Sequence, residues 1–360
     1  MSDLQRTALY HTHAALGAKL VPFAGWEMPL RYSGDKDEVT AVRTAAGLFD
    51  VSHMGQVELR GANALRDVNH FITNDLARAE SGQATYTMVC NERGGVIDDL
   101  IVYRLADDHL FIVVNASRAE VDIAWMREQL SPDTTLETFT PQRGIIALQG
   151  PRADEVLQPL CDADLAPLRR HFSMTAKVCG VECRFARTGY TGENGFELFP
   201  PGEKLNEVWS SLISHPSSLV KPCGLGARDV CRLEAGLRLY GNDLSEDITP
   251  LEAGLKWTVK FDKDDFIGKT ALQQQLAAGP PRKTIGLRML DRAIPRHEYR
   301  VVANGVDAGV VTSGIFSPTL NVGIAMALVR GDVADDADYG VVVRGEPHPA
   351  EVVRMPFVKK

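Results

Sequence analysis

Apolar residues recur at two different periods along the chain, and each period predicts a different element. From Val39 to Phe49 the spacing is helical, with Gly47 near the end as a terminator. Residues 56–60, Gln-Val-Glu-Leu-Arg, alternate in the manner of a strand. Helical spacing returns in four further segments, at 64–72, 117–130, 205–213 and 228–240, the last with Asp229 as its N-cap.

The elements between residues 85 and 130 follow one another in an informative order. Strands are predicted over 85–90, 96–105 and 109–114, with a turn at 91–95 and the helix of 117–130 after them. An order of strand, turn, strand and then helix favours an α+β arrangement over regular βαβ winding. Further strands are predicted at 145–148, 183–186 and 196–199, and a glycine-rich loop separates the last two.

The C-terminal part of the chain has a different pattern. Residues 273–282 contain Gly279-Pro280-Pro281 and are predicted to be a domain linker. Short strands separated by turns follow, at 284–289, 299–302, 309–312, 322–328, 340–343 and 351–353. This pattern predicts a small all-β C-terminal domain.

The length, composition and net charge of the chain limit the classes of protein to which it can belong. The chain has 360 residues, and single cores stop growing near about 250–300 residues, so two or three domains are expected. Hydrophobic residues make up 44% and charged residues 24%, which is ordinary for a globular protein. The net charge of −8 argues against a general nucleic-acid binder, because such proteins usually carry a basic face.

The sequence shows neither a membrane segment nor a disulfide framework. Apolar runs such as 322–329 are much shorter than the roughly 20 residues that cross a bilayer. The N-terminal segment has neither a signal-peptide nor a transit-peptide pattern, which predicts a protein that is cytoplasmic or already in its mature form. The six cysteines include no Cys-x-x-Cys pair, so we expect reduced, mostly buried thiols.

Two adjacent aspartates, Asp98 and Asp99, lie inside the apolar strand predicted over 96–105. Strand side chains alternate between faces, so one carboxylate points to each side of the sheet. The carboxylate on the buried side needs donors or a cavity, because burying it without partners is costly. The pair therefore indicates a functional acid, and the alternative is that it satisfies the turn at Gly94-Gly95.

A glycine-rich loop at 188–195 has the sequence Thr-Gly-Tyr-Thr-Gly-Glu-Asn-Gly. Glycines allow a ligand to approach the backbone closely. The carboxylate of Glu193 can accept two parallel hydrogen bonds from a planar N–C–N edge, such as that of a pterin. The neighbouring Tyr190 can stack on the ring face. The alternative is a structural turn with an exposed glutamate.

Residues 224–229, Gly-Leu-Gly-Ala-Arg-Asp, precede a predicted helix. They lack the third glycine and the preceding strand of a dinucleotide-binding motif, so that interpretation is excluded. An arginine at a helix N-terminus, here Arg228, can still hold a carbonyl or carboxylate of a ligand. The alternative is an ion pair with Asp229 or Glu234.

The histidines do not suggest a metal site. His11, His13 and His53 have no partners at metal-ligand spacing, so they are predicted to be caps or core groups and no metal is expected. The sequence also has no Gly-x-Ser-x-Gly elbow and no P-loop.

Taken in order, these segments resemble the glycine cleavage T-protein (aminomethyltransferase) family. The resemblance begins with Phe-Ala-Gly-Trp at 23–26 and Asp-Val-Ser-His-Met at 50–54. It continues through 91–103, 189–197, 221–242, 265–268 and 312–320. Each motif alone is weak, but the ordered set covers nearly the whole chain and is highly specific.

The resemblance implies a fold and a reaction. The fold is α+β, a three-domain, cloverleaf-like disc around a central folate-binding hole. A folate-binding domain at 1–55 plus 140–260 holds an inserted α+β domain at 56–139, and a β-barrel-like domain at 283–360 follows. The implied reaction moves the aminomethyl group from the dihydrolipoyl arm of H-protein to tetrahydrofolate. It releases ammonia and forms 5,10-methylenetetrahydrofolate, with no metal.

The resemblance also assigns roles to individual positions. It makes Asp98, rather than Asp99, the catalytic acid. Glu193 matches the anchor of the pterin edge, and Arg228 matches a second folate contact. The remaining residues expected to line the folate cavity are Tyr190, Met54, Asn115, Tyr86 and Trp257.

Two other functions on the same scaffold remain as alternatives. One is a folate-dependent demethylase of a small methylated compound, which needs a substrate pocket instead of a docking surface for a lipoyl protein. The other is a non-enzymatic folate-binding protein that assists iron–sulfur assembly. Those relatives carry a Lys-Gly-Cys motif where this chain has Thr-Gly-Tyr-Thr-Gly-Glu at 188–193, so the missing cysteine argues against the second alternative.

Overall fold

The computed structural model describes residues 4–216 and 219–359, in two compact units. The first unit comprises Met1–Val68, Leu76–Tyr86 and Leu100–Asp229, and the second Asn69–Asp75, Thr87–Asp99 and Val230–Lys360. Residues 1–3 of the N-terminal segment lie outside the described residues. The three-domain division stays a prediction.

A six-stranded sheet forms the main layer of the first unit. Across the sheet its strands are β10 (Ser173–Val178), β11 (Val181–Ala186), β12 (Gly195–Phe199), β9 (Ile146–Gln149), β3 (Ala46–Asp50) and β13 (Val220–Pro222). Strand β13 is parallel to β3, and the other neighbours are antiparallel. A separate hairpin consists of β1 (Lys19–Phe23) and β2 (Trp26–Arg31). The strands predicted at 145–148, 183–186 and 196–199 are confirmed.

Helix α6 (Leu205–Ile213) packs against this sheet, and its limits agree with the prediction for 205–213. Its buried side chains recur at intervals of three and four residues from Leu205 to Leu212, the spacing of one helix face. Trp209 lies among them, in the same core as Phe185 and Phe196 of the sheet. Burying one Leu or Val side chain here contributes roughly 1.5–3 kcal/mol.

A second sheet has the strand order β5 (Gln83–Cys90), β6 (Val96–Ala106), β7 (His109–Val114), β4 (Gly55–Arg60), β8 (Thr135–Thr138). Strands β5 and β6 run across the unit boundary, since residues 87–90 and 96–99 are counted in the second unit. Within the first unit, Tyr103 and Phe111 contact Phe199 of the six-stranded sheet, with ring centroids 5.9 and 5.1 Å apart. These edge-to-face contacts join the two sheets.

The remaining helices before residue 240 are α1 (Tyr10–Ala15), α2 (Asp35–Thr44), α3 (Ala64–Phe71), α4 (Ala119–Gln129), α5 (Ala153–Leu157) and α7 (Leu225–Glu234). Two predicted helices were too long. Helix α2 ends at Thr44, so Phe49 lies on β3. Helix α7 ends at Glu234, shortly before Gly236, whose φ of 72° terminates it. Asp229 is inside α7 and is not its N-cap.

The second unit contains the predicted all-β domain, a closed barrel. Around the barrel the strands are β14 (Arg282–Met289), β17 (Val322–Arg330), β16 (Val306–Ser317), β15 (Arg300–Ala303), β18 (Tyr339–Val343) and β19 (Glu346–Val353). The α+β class and the C-terminal barrel are therefore confirmed. The linker predicted at 273–282 is wrong for its first part, because helix α8 (Lys269–Ala278) occupies it.

A buried ion pair connects the end of α7 to the barrel inside the second unit. Arg232 donates from Nη1 to Asp243 Oδ2 at 2.8 Å and from Nη2 to Ser313 Oγ at 2.9 Å. Ser313 in turn donates to Asp243 Oδ2 at 2.8 Å. The Arg232 and Asp243 side chains are only 2% and 0% exposed, so each charge depends on the other.

The expected state of the cysteines is also confirmed. All six are free thiols, and Cys90, Cys183, Cys223 and Cys231 are buried. Within residues 4–216 and 219–359, no helix is long and apolar enough to cross a membrane.

The substitution Asp243→Asn tests the buried ion pair. It keeps the shape of the side chain but removes the charge of the Asp243 carboxylate from beside the buried Arg232 guanidinium, so the free energy of unfolding should fall by about 3–5 kcal/mol. Urea unfolding of both proteins measures this difference.

Asp247→Asn is the matched control, because the side chain of Asp247 is 86% exposed. It should change the free energy of unfolding by less than about 0.5 kcal/mol. If the free energy of unfolding falls by the same small amount in both variants, the buried pair does not hold α7 to the barrel.

Candidate active site

A buried aspartate at the end of β3 anchors the turn that carries two candidate residues. Asp50 Oδ2 accepts hydrogen bonds from Thr7 Oγ1 at 2.6 Å and lies 2.9 Å from His13 Nε2, and Asp50 Oδ1 accepts from Ser52 N at 2.9 Å. These bonds and the His13 charge hold the pKa of Asp50 below its usual range although burial opposes them. The turn at 51–54 is thereby held in place.

His53 follows in that turn and is buried, with its ring edge against Phe23 at a centroid distance of 5.6 Å. Its Nδ1 has no hydrogen-bond partner among the described residues. Burial, and then the nearby charge of Arg228, lower the pKa of His53 to about 4, while Asp50 acts in the opposite direction. The imidazole is therefore neutral at neutral pH, so it offers one donor and one acceptor.

The glycine-rich loop between β11 and β12 is shaped by the side chain of Gln149. Gln149 Nε2 donates to Thr188 O at 3.0 Å, and Gln149 Oε1 accepts from Thr191 Oγ1 at 2.8 Å. A Cβ at Gly189 would lie 1.9 Å from Gln149 Oε1, so a larger residue there would displace the Gln149 side chain from these hydrogen bonds. The loop is therefore fixed against the sheet.

Glu193 is buried in this loop, which contradicts the alternative of an exposed glutamate. Arg43, from the last turn of α2, donates from Nη1 to Glu193 Oε1 at 2.7 Å and to Thr191 O at 2.8 Å. The contact orients one carboxylate oxygen and supplies a counter-charge. The sequence did not predict Arg43, because 150 positions separate it from Glu193 and no local pattern links them.

Arg228 and Tyr190 are in contact within the first unit. The guanidinium carbon of Arg228 lies 4.6 Å from the ring centroid of Tyr190, within the range of a cation–π interaction. Burial lowers the pKa of Arg228, and Glu197 and then Tyr190 act in the opposite direction. Glu197 is positioned by Thr188 Oγ1, which donates to its Oε2 at 2.5 Å.

Three other predicted lining residues are half-buried in the first unit. Met54 closes the turn, with its N donating to Val51 O at 3.1 Å. Tyr86 lies on β5, and Asn115 directly follows β7. Their roles toward a ligand remain predictions.

Asp98 lies in the part of β6 that belongs to the second unit and is fully buried, whereas Asp99 is half-buried. The predicted alternation is thus confirmed. The preceding turn does not need an aspartate, because Asn91 Oδ1 accepts from Arg93 N at 3.0 Å and from Gly95 N at 3.1 Å. These two amides of the turn are thus satisfied without an aspartate, and the functional role of the pair stays a prediction.

The start of β6 is fixed by a segment that follows α7 in the second unit. Val96 N donates to Ser245 O and to Ile248 O, both at 3.0 Å. Tyr240 donates from its hydroxyl to Val96 O at 3.3 Å. These bonds hold the strand that carries Asp98.

Trp257 occupies a short 3-10 turn, Lys256–Thr258, and is 58% exposed. The turn is held within the second unit by Thr73, whose Oγ1 donates to Thr258 O at 3.0 Å. An exposed indole is available to a ligand, but its role remains a prediction.

The part of the chain that the structure describes contains no group of three or more His, Cys, Asp or Glu side chains suited to a metal ion.

Comparisons with known proteins agree with the resemblance drawn from the sequence. The family described as the GCVT N-terminal domain matches residues 9–263, and the glycine cleavage T-protein C-terminal barrel domain matches residues 282–359. An aminomethyltransferase of Desulfitobacterium hafniense (strain DSM 10664 / DCB-2) is 46% identical, and the match covers 100% of both chains. One of Geobacillus thermodenitrificans is 46% identical over 99% of both.

A solved structure is similar over the same length. The glycine cleavage system aminomethyltransferase T from Bartonella henselae aligns with a TM-score of 0.92 and 35% identity, over 99% of this chain and 98% of that chain. Both family domains are thus matched in order, and the relatives are matched along their full length. The chain therefore belongs to the glycine cleavage T-protein family of aminomethyltransferases.

Proposed function

We propose that this enzyme transfers an aminomethyl group from the dihydrolipoyl arm of H-protein to tetrahydrofolate. In this reaction the carbon–sulfur and carbon–nitrogen bonds of the aminomethyl group break, and two carbon–nitrogen bonds to the folate form. The two protons that the folate nitrogens lose are balanced by those gained by the thiol and the departing ammonia. Full-length similarity to aminomethyltransferases supports the reaction class.

The observation that carries the folate assignment is the buried carboxylate of Glu193 held by Arg43. A carboxylate in this position can accept hydrogen bonds from the N–C–N edge of a pterin. Arg43 orients the carboxylate and supplies a counter-charge before the ligand arrives. Because the pair is formed beforehand, little reorganisation is needed on binding.

Two further features of the first unit suit a planar polar ligand. Arg228 lies over the ring of Tyr190, so an aromatic ring and a cationic group are held together in the first unit. His53 has a buried Nδ1 without a partner among the described residues, and a bound ligand can complete its hydrogen bonding. Tetrahydrofolate, held by these residues, supplies the nitrogens that accept the one-carbon unit.

Asp98 is proposed as the catalytic acid. A buried carboxylate next to the reacting nitrogens stabilises the positive charge that develops while ammonia leaves. It can also take the proton released as the new carbon–nitrogen bond forms. The hydrogen bonds of Val96 to residues 245 and 248 support this role, because they fix the position of the strand.

The donor in this proposal is a carrier protein, since the aminomethyl group travels on a lipoyl arm. A transient complex with lipoylated H-protein follows, in which the arm reaches the folate. The proposal places this exchange in the cytoplasm, in keeping with six free thiols.

Asp98→Asn tests the role of the acid. The amide keeps the size of the side chain but neither carries charge nor accepts a proton, so turnover should fall about 100-fold or more. Ammonia release from aminomethylated H-protein in the presence of tetrahydrofolate measures turnover. Tetrahydrofolate affinity should change little. Asp99→Asn is the control and should retain turnover, and an equal loss in both variants would remove the distinction between the two aspartates.

Glu193→Gln tests the pterin anchor. Replacing one carboxylate oxygen with an amide donor removes a charged acceptor, so tetrahydrofolate should bind about tenfold more weakly. Turnover at saturating folate should be much less affected. Calorimetric binding and steady-state kinetics separate the two effects. The exposed Glu182→Gln serves as the control, and unchanged folate affinity in Glu193→Gln would contradict the assignment.

The lowered pKa of His53 predicts a pH dependence of stability. Between about pH 6.5 and pH 4 the unfolded chain binds a proton at this histidine and the folded chain does not. The stabilisation is therefore complete above pH 6.5, and about 2–3 kcal/mol is lost as the pH falls to 4.

His53→Asn removes this titration, so the variant should lose less stability than the wild type over that pH range. Urea unfolding across the range measures the difference. His11→Asn, at an exposed position, should leave the pH dependence as in the wild type. If the free energy of unfolding falls by the same amount in His53→Asn and in the wild type between pH 6.5 and pH 4, a buried neutral His53 is contradicted.

A further inference from the structure

Three arginines of the first unit converge on a single buried carboxylate. Glu58 and Arg60 lie on β4, Arg184 lies on β11, and Arg143 lies in the loop before β9. We call these four residues, together with His109 of β7, the arginine cluster. The proposed function uses none of them.

The carboxylate of Glu58 is fully engaged. Its Oε1 accepts from Arg143 Nη1 at 2.9 Å, and its Oε2 accepts from Arg60 Nη2 at 2.8 Å. His109 Nε2 lies 2.9 Å from Oε2 as well. These donors and charges lower the pKa of Glu58 to about 2 although burial opposes them. Glu58 is thus ionised, and its acceptor capacity is largely used.

Arg184 is left without a hydrogen-bond partner among the described residues. Its Nη1 lies 3.7 Å from Glu58 Oε1, too far for a hydrogen bond. Burial and then the charges of Arg143 and Arg60 lower the pKa of Arg184, while Glu58 acts in the opposite direction. The three guanidinium groups thus face one carboxylate, a surplus of two positive charges.

No other carboxylate of the described residues relieves this surplus at contact distance. Glu137 on β8 is paired in register with Glu58, but it is exposed and forms no ion pair within the part of the chain described. In a chain with a net charge of −8, this is a local concentration of positive charge. The Arg60 side chain is 53% exposed and is screened by solvent, but Arg143 and Arg184 are half-buried, and half-buried charges are costly unless an anion offsets them.

Aromatic rings pack against two of the three guanidinium groups, those of Arg143 and Arg184. Arg143 lies 4.2 Å above the Phe139 ring and 5.7 Å from that of Phe111, and Arg184 lies 5.4 Å from Phe111. The Arg143 and Arg184 side chains are 22% and 20% exposed, so solvent and small ions reach them. The donors are therefore preorganised and accessible, which favours binding of a planar or tetrahedral oxyanion.

We propose that the arginine cluster is a binding site for an oxyanion, a carboxylate or phosphate group, with Arg184 as its principal donor. The ligand adds the acceptor that Arg184 lacks and offsets the surplus charge. Two sources of this chemistry are possible. One is a free small anion, and the other is a carboxylate of the glutamate tail of a folate. Only the second source rests on the proposed function.

The first experiment uses inorganic phosphate and the full chain without folate. Calorimetric titration at constant ionic strength should show binding to the wild type and about tenfold weaker binding to Arg184→Gln. Arg184→Lys keeps the charge and should recover part of the affinity. Arg170→Gln, at an exposed position with the same charge change, should bind phosphate as the wild type does.

The second experiment compares tetrahydrofolate with one and with several glutamates. If the tail is the ligand, the longer form should bind more tightly to the wild type, and Arg184→Gln should abolish that advantage.

Dependence on Arg184 in either experiment supports the site and identifies its ligand. The proposal is overturned if phosphate and tail affinities are the same in Arg184→Gln as in wild type. Equal losses in Arg184→Gln and Arg170→Gln also overturn it, because they indicate nonspecific charge effects. The phosphate experiment succeeds or fails independently of the aminomethyl transfer.

Discussion

Carboxylates taken out of water are costly unless donors or cations surround them, and the interior of this chain is organised by that requirement. Asp50 fixes the turn after β3, Glu193 pairs with Arg43 beside the glycine-rich loop, and Asp243 pairs with Arg232 next to Ser313 of the barrel. The contacts of Asp50 with His13 and of Glu193 with Arg43 join segments 37 and 150 positions apart, and Arg232 and Asp243 both contact Ser313 of the barrel. The buried charges therefore specify tertiary contacts that apolar packing alone would leave less defined.

Hydrogen bonds to side chains and to the backbone give the candidate site its rigidity. Gln149 fixes the glycine-rich loop through two hydrogen bonds, and Arg43 fixes the carboxylate that the loop carries. In the second unit, the strand of Asp98 is held by the Ser245 and Ile248 carbonyls, which accept from Val96 N, and by the Tyr240 hydroxyl, which donates to Val96 O. A transfer between two mobile carriers gains most from groups that are in position before the carriers arrive. The arginine cluster is the exception, because its charges are held in place but are not balanced.

Local patterns predicted the features that depend on neighbouring residues. Strand alternation predicted that one of Asp98 and Asp99 would be buried, and short strands after residue 282 predicted the barrel. The sequence patterns gave wrong positions for the ends of two helices. The stripe toward Tyr240 continued beyond Gly236, and the proline-containing segment at 273–282 concealed the end of α8. No sequence pattern indicated a role for Arg43, because its partner Glu193 is 150 positions away.

The central claim is that the aminomethyl carbon moves to folate while its nitrogen leaves as ammonia. A single-turnover experiment tests it most directly, with H-protein whose aminomethyl carbon and nitrogen are both isotopically labelled, tetrahydrofolate and this enzyme. We expect the labelled carbon in methylenetetrahydrofolate and the labelled nitrogen in free ammonia, in equal amounts. Labelled nitrogen retained on the folate or on H-protein, or no transfer of the labelled carbon, would contradict the account.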